Sequence, residues 1–399
     1  MSAASPVARK IATALAAALL AMPASADAGE IDLDVGVDFR ARIELVEEEG
    51  FDEDAEAATL RTRLHLDAPI GSRWRGFLEF SDVREIGLDD YNAGAGATPD
   101  RSRFPVVADP EDTRVNQAWL QFSPADGLRL RAGRQRIKLD NDRFVGNVGW
   151  RQNEQTYDGA TAEWNSGRWN LFYGWVGHVN RIFASDVPAG DHDHDTHLLN
   201  ASFAVAEGHV LSGYLYRIED EDAQALSNRT AGLRYTGGTG DWAWLLEAAH
   251  QSDTGGNPFD YDAVYAHARL DLALAPSFEP FAGFERLGDD DGARAFQTPL
   301  ATLHAFNGWA DRFLATPARG LDDLYAGFSG GRDRLGWTVA AHRFATVDGS
   351  DLLGHELDAS LSIRIDDHVS VLVKAAHFAD DDAGVAGATK FWIMLAGNW

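Results

Sequence analysis

Residues Leu33 to Leu45 alternate without a break. Leu33, Val35, Val37, Phe39, Ala41, Ile43 and Leu45 fall on one parity, and Asp34, Gly36, Asp38, Arg40, Arg42 and Glu44 on the other. Successive side chains of a strand point to opposite faces, so this is one strand with an apolar side and a charged side. It is longer than a typical soluble strand and fits a tilted strand crossing a bilayer. A soluble sheet would turn its apolar side to a protein core. Here the assignment is the reverse, with apolar side chains in lipid and charged ones in a watery lumen. The hairpin from Leu128 to Trp164 repeats the pattern. Leu128, Leu130 and Ala132 oppose Arg129, Arg131 and Gly133, and on the return limb Ala160, Ala162 and Trp164 oppose Gly159, Thr161 and Glu163.

Further strands are expected at 113–123, 128–137, 155–164, 169–180, 196–205, 209–218, 229–236, 242–250, 261–273, 278–287, 322–329, 335–345, 355–365, 369–378 and 389–399. With 33–45 and the two segments around Leu60–Asp67 and Trp74–Phe80, they make eighteen. The connections alternate in length. PIGSR, SPADG, NSGR, AEG, GGTGD, APS, GGRDR and IDDH are short and rich in turn formers. The others are long: 47–58, 83–112, 138–154, 181–195, 219–228, 251–260, 288–321, 346–354 and 379–388. An even meander with both termini on one side gives that alternation. The expected fold is an all-β, 18-stranded antiparallel transmembrane β-barrel of the bacterial outer membrane, spanning residues 27–399.

Residues 1–26 read as a signal peptide, with Arg9 and Lys10 before the apolar run Ile11–Ala21 and an Ala24-Ser25-Ala26 cleavage site. Apart from that run, which is itself too short to span, nothing approaches the length of a transmembrane helix. There is no cysteine, which excludes disulfides and thiolate chemistry, and the net charge of −27 argues against a nucleic-acid surface. Seven tryptophans, Trp74, Trp164, Trp169, Trp175, Trp242, Trp244 and Trp337, fall on the apolar parity, where an aromatic girdle would lie.

The charged parity carries the functional expectation. Arg40, Arg42, Arg61, Arg63, Arg75, Arg129, Arg131, Arg269, Arg364 and Lys374 point inward, with Asp34, Asp38, Glu44, Asp67, Glu79 and Asp271 among them. Arg134 and Arg136 are out of phase, and a bulge near Ala132–Gly133 would return them to the lumen. Guanidinium groups bind carboxylates bidentately and stay charged, so a ladder of them suits an anionic solute. The competing expectation is that each arginine pairs with an inward acid and braces the wall. The acidic runs EEEGFDEDAE, DHDHD, EDED, DDDG and DDDAG belong to the long loops, as solvated surface or as divalent-ion bridges to lipopolysaccharide. Asp191, His192, Asp193 and His194 form a weak metal-site candidate in one of those loops. No cofactor and no enzymatic reaction is expected. The alternatives are a barrel-embedded hydrolase, although no GxSxG motif occurs, and a general non-selective porin.

Three stretches carry a family resemblance: Gly133-Arg134-Gln135, the run from Trp150 to Gly159 (WRQNEQTYDG), and the run from Thr298 to Phe313 (TPLATLHAFNGWADRF). Together they resemble the alginate-export family of outer-membrane porins. The resemblance implies a monomeric 18-stranded barrel with an arginine-lined, anion-selective pore narrowed by inward loops. It places Arg134, Arg151 and Gln152 near the constriction, and Asn307, Trp309 and Asp311 in a loop folded into the mouth. The solute class it implies is an acidic polysaccharide or uronate oligomer. The final strand ends on Trp399, and a terminal aromatic there resembles the signal read by the barrel-assembly machinery.

Overall fold

A computed structural model describes residues 33–381 and 384–399. The expected signal peptide, 1–26, lies outside the described residues. Eighteen strands form one antiparallel sheet that closes on itself. The first strand, Asp34–Glu48, pairs with the second, Ala55–Ile70, and with the last, Ala388–Asn398, in an unbroken register from Asp38↔Asn398 to Glu48↔Ala388. Trp399 extends that seam: its N–H donates to Val37 O at 2.9 Å, and Val37 N–H donates to Trp399 O at 2.8 Å. Closure matters because an unpaired backbone group in hydrocarbon costs several kcal/mol.

The wall is inverted relative to a soluble protein. On the first strand Val35, Val37, Ile43 and Leu45 are exposed, whereas Arg40, Arg42 and Glu44 are buried. Leu233 (61% exposed), Leu357 (56%) and Leu246 (53%) show the same outward apolar face elsewhere. Aromatic pairs gather near the rim that carries the short turns. Phe39 stacks on Trp399, Trp74 on Phe122 with centroids 4.4 Å apart, and Trp169 packs on Phe203 at 4.5 Å. These amphipathic rings suit a membrane–water boundary.

The strands outrun their expected ends at the long-loop rim. The third strand runs from Trp74 to Asp90, and the eighth begins at Asp191. Charge density there had suggested loops. Yet a strand projecting beyond the bilayer has water on its outer face, so acidic residues alternate along it at no solvation cost. Residues 91–111 cap this rim around Tyr91, Phe104 and Val107, packed on Val46, Ala55 and Ala57. A short hairpin, Asp289–Asp290 with Arg294–Ala295, decorates the 288–321 connection.

Candidate functional site

Two long connections turn into the lumen: residues 136–155 and residues 296–320. Their tight backbone is written in the sequence. Asp140, Asp142, Asn307, Gly308 and Asp311 all have positive φ (53°, 65°, 55°, 82° and 60°). Gly, Asn and Asp are the residues that adopt this region most readily. At Gly308 a Cβ would also collide with the Glu356 carboxylate.

The two loops are tied to each other. Gly146 N–H donates to Leu300 O (2.9 Å), Thr302 N–H to Asp142 O (2.9 Å), and Gln155 Nε2 to Leu300 O (3.1 Å). Arg143, fully buried, donates to Thr298 Oγ1 (3.1 Å) and Asn307 Oδ1 (3.0 Å) and forms an ion pair with Glu285 on the wall (2.6 Å). Arg151 of one loop meets Asp311 of the other at 2.8 Å, and Asp311 also faces Lys390 (3.3 Å) and His304 Nδ1 (2.7 Å). Trp150 stacks on His304 with centroids 4.3 Å apart, and Lys374 Nζ lies 4.3 Å from the Trp150 ring and 3.7 Å from that of Trp309.

Both walls grip these loops. Arg40 donates to Gly149 O (2.9 Å), to Arg151 O and to Gln152 Oε1 (2.9 Å), and Arg42 donates to Trp150 O (2.7 Å). Two arginines at i and i+2 on one strand face thus capture three consecutive carbonyls. Arg42 also pairs with Asp109, whose Oδ1 accepts the Gln152 N–H at 2.7 Å. Arg63 and Arg136 converge on Glu154, and Arg136 reaches Glu79 at 2.7 Å. Three strands from the first through the closing seam, Glu356 and Asp358 accept the backbone N–H groups of Ala310 (2.7 Å) and Trp309 (3.2 Å).

The loop groups are held in defined charge states. Burial would raise the Glu154 carboxyl, but Arg63 and Arg136 overcome this and hold it at about 2. Burial pushes the His304 imidazole down to about 3, leaving it neutral, with Asp311 pulling the other way. Burial also opposes ionisation of Asp311, but His304 and Lys390 keep its carboxyl well below the usual range.

Two open cavities flank the constriction toward the short-turn rim. One, of about 280 Å³, contains Arg129, Arg131, Arg136 and Lys138, with Asp140 and Glu163 as its acids. The other, of about 460 Å³, contains Glu285, Asp323 and Asp358, with Arg234, Arg269 and the aromatic rings of Phe281, Trp309 and Tyr325.

The expected lumen residues therefore divide. Arg40, Arg42, Arg63, Arg151, Gln152 and Asp311 are buried anchors of the inserted loops. Asn307 is also an anchor, donating to Glu285 Oε2 at 2.6 Å, although it borders the larger cavity. Arg61 pairs with Asp38, Arg129 with Glu163 and Arg269 with Asp271, each at 2.7 Å. Arg131 donates to Gln121 (2.9 Å), lies over the Trp119 ring (4.0 Å), and has no carboxylate within ion-pair distance among the described residues.

Two expectations require correction. Arg134 does not return to the lumen. The register runs unbroken from Leu128↔Trp164 to Gln135↔Tyr157, so Gln135 stays in phase with Arg129 and Arg131, and Arg134 takes the opposite face. Gly133 does adopt φ +124°, but without inserting the extra residue that would shift the phase. Arg134 pairs there with Asp158 at 2.8 Å. Arg136 reaches the lumen because the strand has already ended at Gln135. The second correction concerns Asp191, His192, Asp193 and His194. They lie on a strand, not in a loop, and alternation puts the two aspartates outside and the two histidines inside.

Sequence reasoning missed Arg143, Glu154, Asp109 and His304. All sit in connections, where no periodicity reports orientation. The one available signal was composition: Arg143 and His304 lie beside apolar residues (Phe144-Val145 and Leu303) that a solvated loop would not carry.

The family model described as alginate export matches residues 31–291. The chain belongs to the alginate-export family. No curated protein matches the sequence. Solved structures share the fold of this alginate-export family member. Acinetobacter baumannii OccAB2 is 14% identical, with 92% of this chain and 98% of that one covered, at a TM-score of 0.71. Pseudomonas aeruginosa OccK9 (OpdG) is 14% identical over 92% and 98%, at 0.70. Pseudomonas aeruginosa OpdL is 15% identical over 92% and 99%, at 0.68. The family and the closed barrel make the protein a porin-like channel of the outer membrane.

Proposed function

We propose that this channel passes an anionic solute of the uronate or acidic-oligosaccharide class by passive diffusion. One observation carries the reading: the smaller cavity gathers four cations and two acids around open volume, and Arg131 among them is not neutralised by a carboxylate. Gln121, Asn170, Asn200 and Ser202 supply hydrogen-bonding groups for sugar hydroxyls in the same wall. A carboxylate-bearing ring fits such a mixture of fork-shaped cations, amides and hydroxyls.

Of the other arginines, Arg40, Arg42 and Arg63 on the wall and Arg143 and Arg151 within the loops hold the constriction. Their role is to fix two loops whose polar backbone would otherwise be unsatisfied inside the barrel. In this reading selectivity arises below the loops and narrowing within them. The test is single-channel recording in planar bilayers with oligouronates added. Voltage-dependent block that weakens when Arg131 is replaced by Gln supports the reading. Equal block by neutral oligosaccharides of the same length removes it and leaves a general porin.

A further inference from the structure

The eighth strand, Asp191–Ala206, opens with Asp-His-Asp-His-Asp-Thr-His. Alternation sends His192, His194 and Thr196 inward and Asp191, Asp193 and Asp195 outward. The loop between the ninth and tenth strands lies against this segment as an added stretch of sheet. Asp195 N–H donates to Glu219 O at 3.0 Å, Glu221 N–H donates to Asp193 O at 2.9 Å, and His194 bridges Asp220. That pairing delivers the Asp220 carboxylate to both imidazoles. His192 Nδ1 is 2.7 Å from Asp220 Oδ2, and His194 Nε2 is 3.6 Å from the same oxygen. One donor atom from each residue falls within 4.8 Å of the others, and the three side chains are 8%, 2% and 5% exposed.

The surroundings fix this donor set. Asp220 Oδ1 accepts the N–H groups of Ala223 (2.7 Å) and Asp222 (3.1 Å), which turns Oδ2 toward the histidines. Thr196 Oγ1 lies 3.1 Å from His194 Nδ1, which leaves Nε2 facing the carboxylate. Metal-ligating side chains are oriented by such outer partners. Two imidazole nitrogens and one carboxylate oxygen are the ligands of a zinc-class ion with one open position. Calcium or magnesium would need more oxygen donors than the cluster holds. Ligands of a tetrahedral zinc ion lie roughly 3.3 Å apart, between the two separations seen here. Arg181 carries the positive charge that opposes a cation at Asp220.

We propose that His192, His194 and Asp220 bind one divalent ion of the zinc class, which clips the 219–227 loop to the long-loop mouth of the barrel. The clip joins a strand to the next loop but one, so its effect is on the shape of the mouth.

The test uses the full chain, detergent-solubilised and freed of metal, titrated calorimetrically with zinc chloride. The expected result is one site that excess calcium does not displace. Replacing both His192 and His194 by Gln should abolish it, and Asp220→Asn, which keeps the side-chain shape, should weaken it by roughly tenfold or more. Heat-modifiable migration on gels shows that each variant retains its barrel. Equal zinc affinity in the wild type and in either variant would overturn the proposal and assign binding to surface pairs such as His178–Asp193 or His250–Asp262. So would displacement of zinc by calcium.

Discussion

The two walls that hold the inserted loops do so with opposite chemistry. On the first wall, Arg40 and Arg42 donate to carbonyls of residues 149–151, and Arg63 meets Glu154. On the wall beyond the closing seam, Glu356 and Asp358 accept amides of residues 309–310, and Glu285 takes Arg143. The lesson is that lumen charge and pore charge are different quantities. An arginine locked onto a loop carbonyl or a buried acid presents little field to a passing ion. Only where the loops leave open volume does the difference between walls survive, as a cationic cavity on one side and an acid- and aromatic-rich one on the other.

Removing an anchor should have the largest effect. Arg143→Ala leaves Glu285 buried without its counter-ion, at a cost of about 3–5 kcal/mol to the loop assembly. Single-channel conductance should rise, and residues 138–150 should become cleavable by added protease. Unchanged conductance would mean that the two loops do not set the narrowest section.

Next in size is a test of the cavities themselves. Arg131→Gln should weaken oligouronate block about tenfold, the scale of one charge-assisted hydrogen bond. Asp323→Asn, in the cavity across the lumen, should not weaken it. Equal losses from both would erase the distinction between the walls.

A smaller effect should follow acidification. His304 sits at about 3 in place, against 6.5 for a free imidazole, so an released loop takes up a proton that the inserted loop refuses. That contribution is full above pH 6.5 and is lost as pH falls toward 3. Glu154, at about 2 against 4.5, adds a loss between those values. Protease cleavage of the loops should therefore quicken below pH 6.5 and again below 4.5. A flat rate down to pH 3 would contradict the charge states assigned to both groups. The smallest expected effect is that of Arg134→Gln, which should leave block and selectivity unchanged because its side chain faces away from the lumen.

Much of this was legible in the sequence, for a physical reason. Strand alternation must match the lipid face all around a barrel, so the parity of Leu33–Leu45 or Leu128–Ala132 reports orientation residue by residue. The turn formers in SPADG or NSGR mark the ends just as directly. The constriction was less legible because loops have no period. Arg151, Asn307 and Asp311 were reached through a resemblance, His304 lay in the same resembling run without a role, and Arg143 was not reached at all. Charge misled in two places: the DHDHD run was assigned to a loop although its alternation is that of a strand, and Arg134 was drawn inward although its parity placed it outside.

Anion preference is tested most directly by the reversal potential of the unmodified channel under a potassium chloride gradient in a neutral bilayer. Preference for chloride over potassium is the predicted result, because Arg131, the one cation of the smaller cavity without a carboxylate partner among the described residues, faces open volume. Preference for potassium would contradict it, and would mean that the acidic wall or the acidic mouth governs what passes.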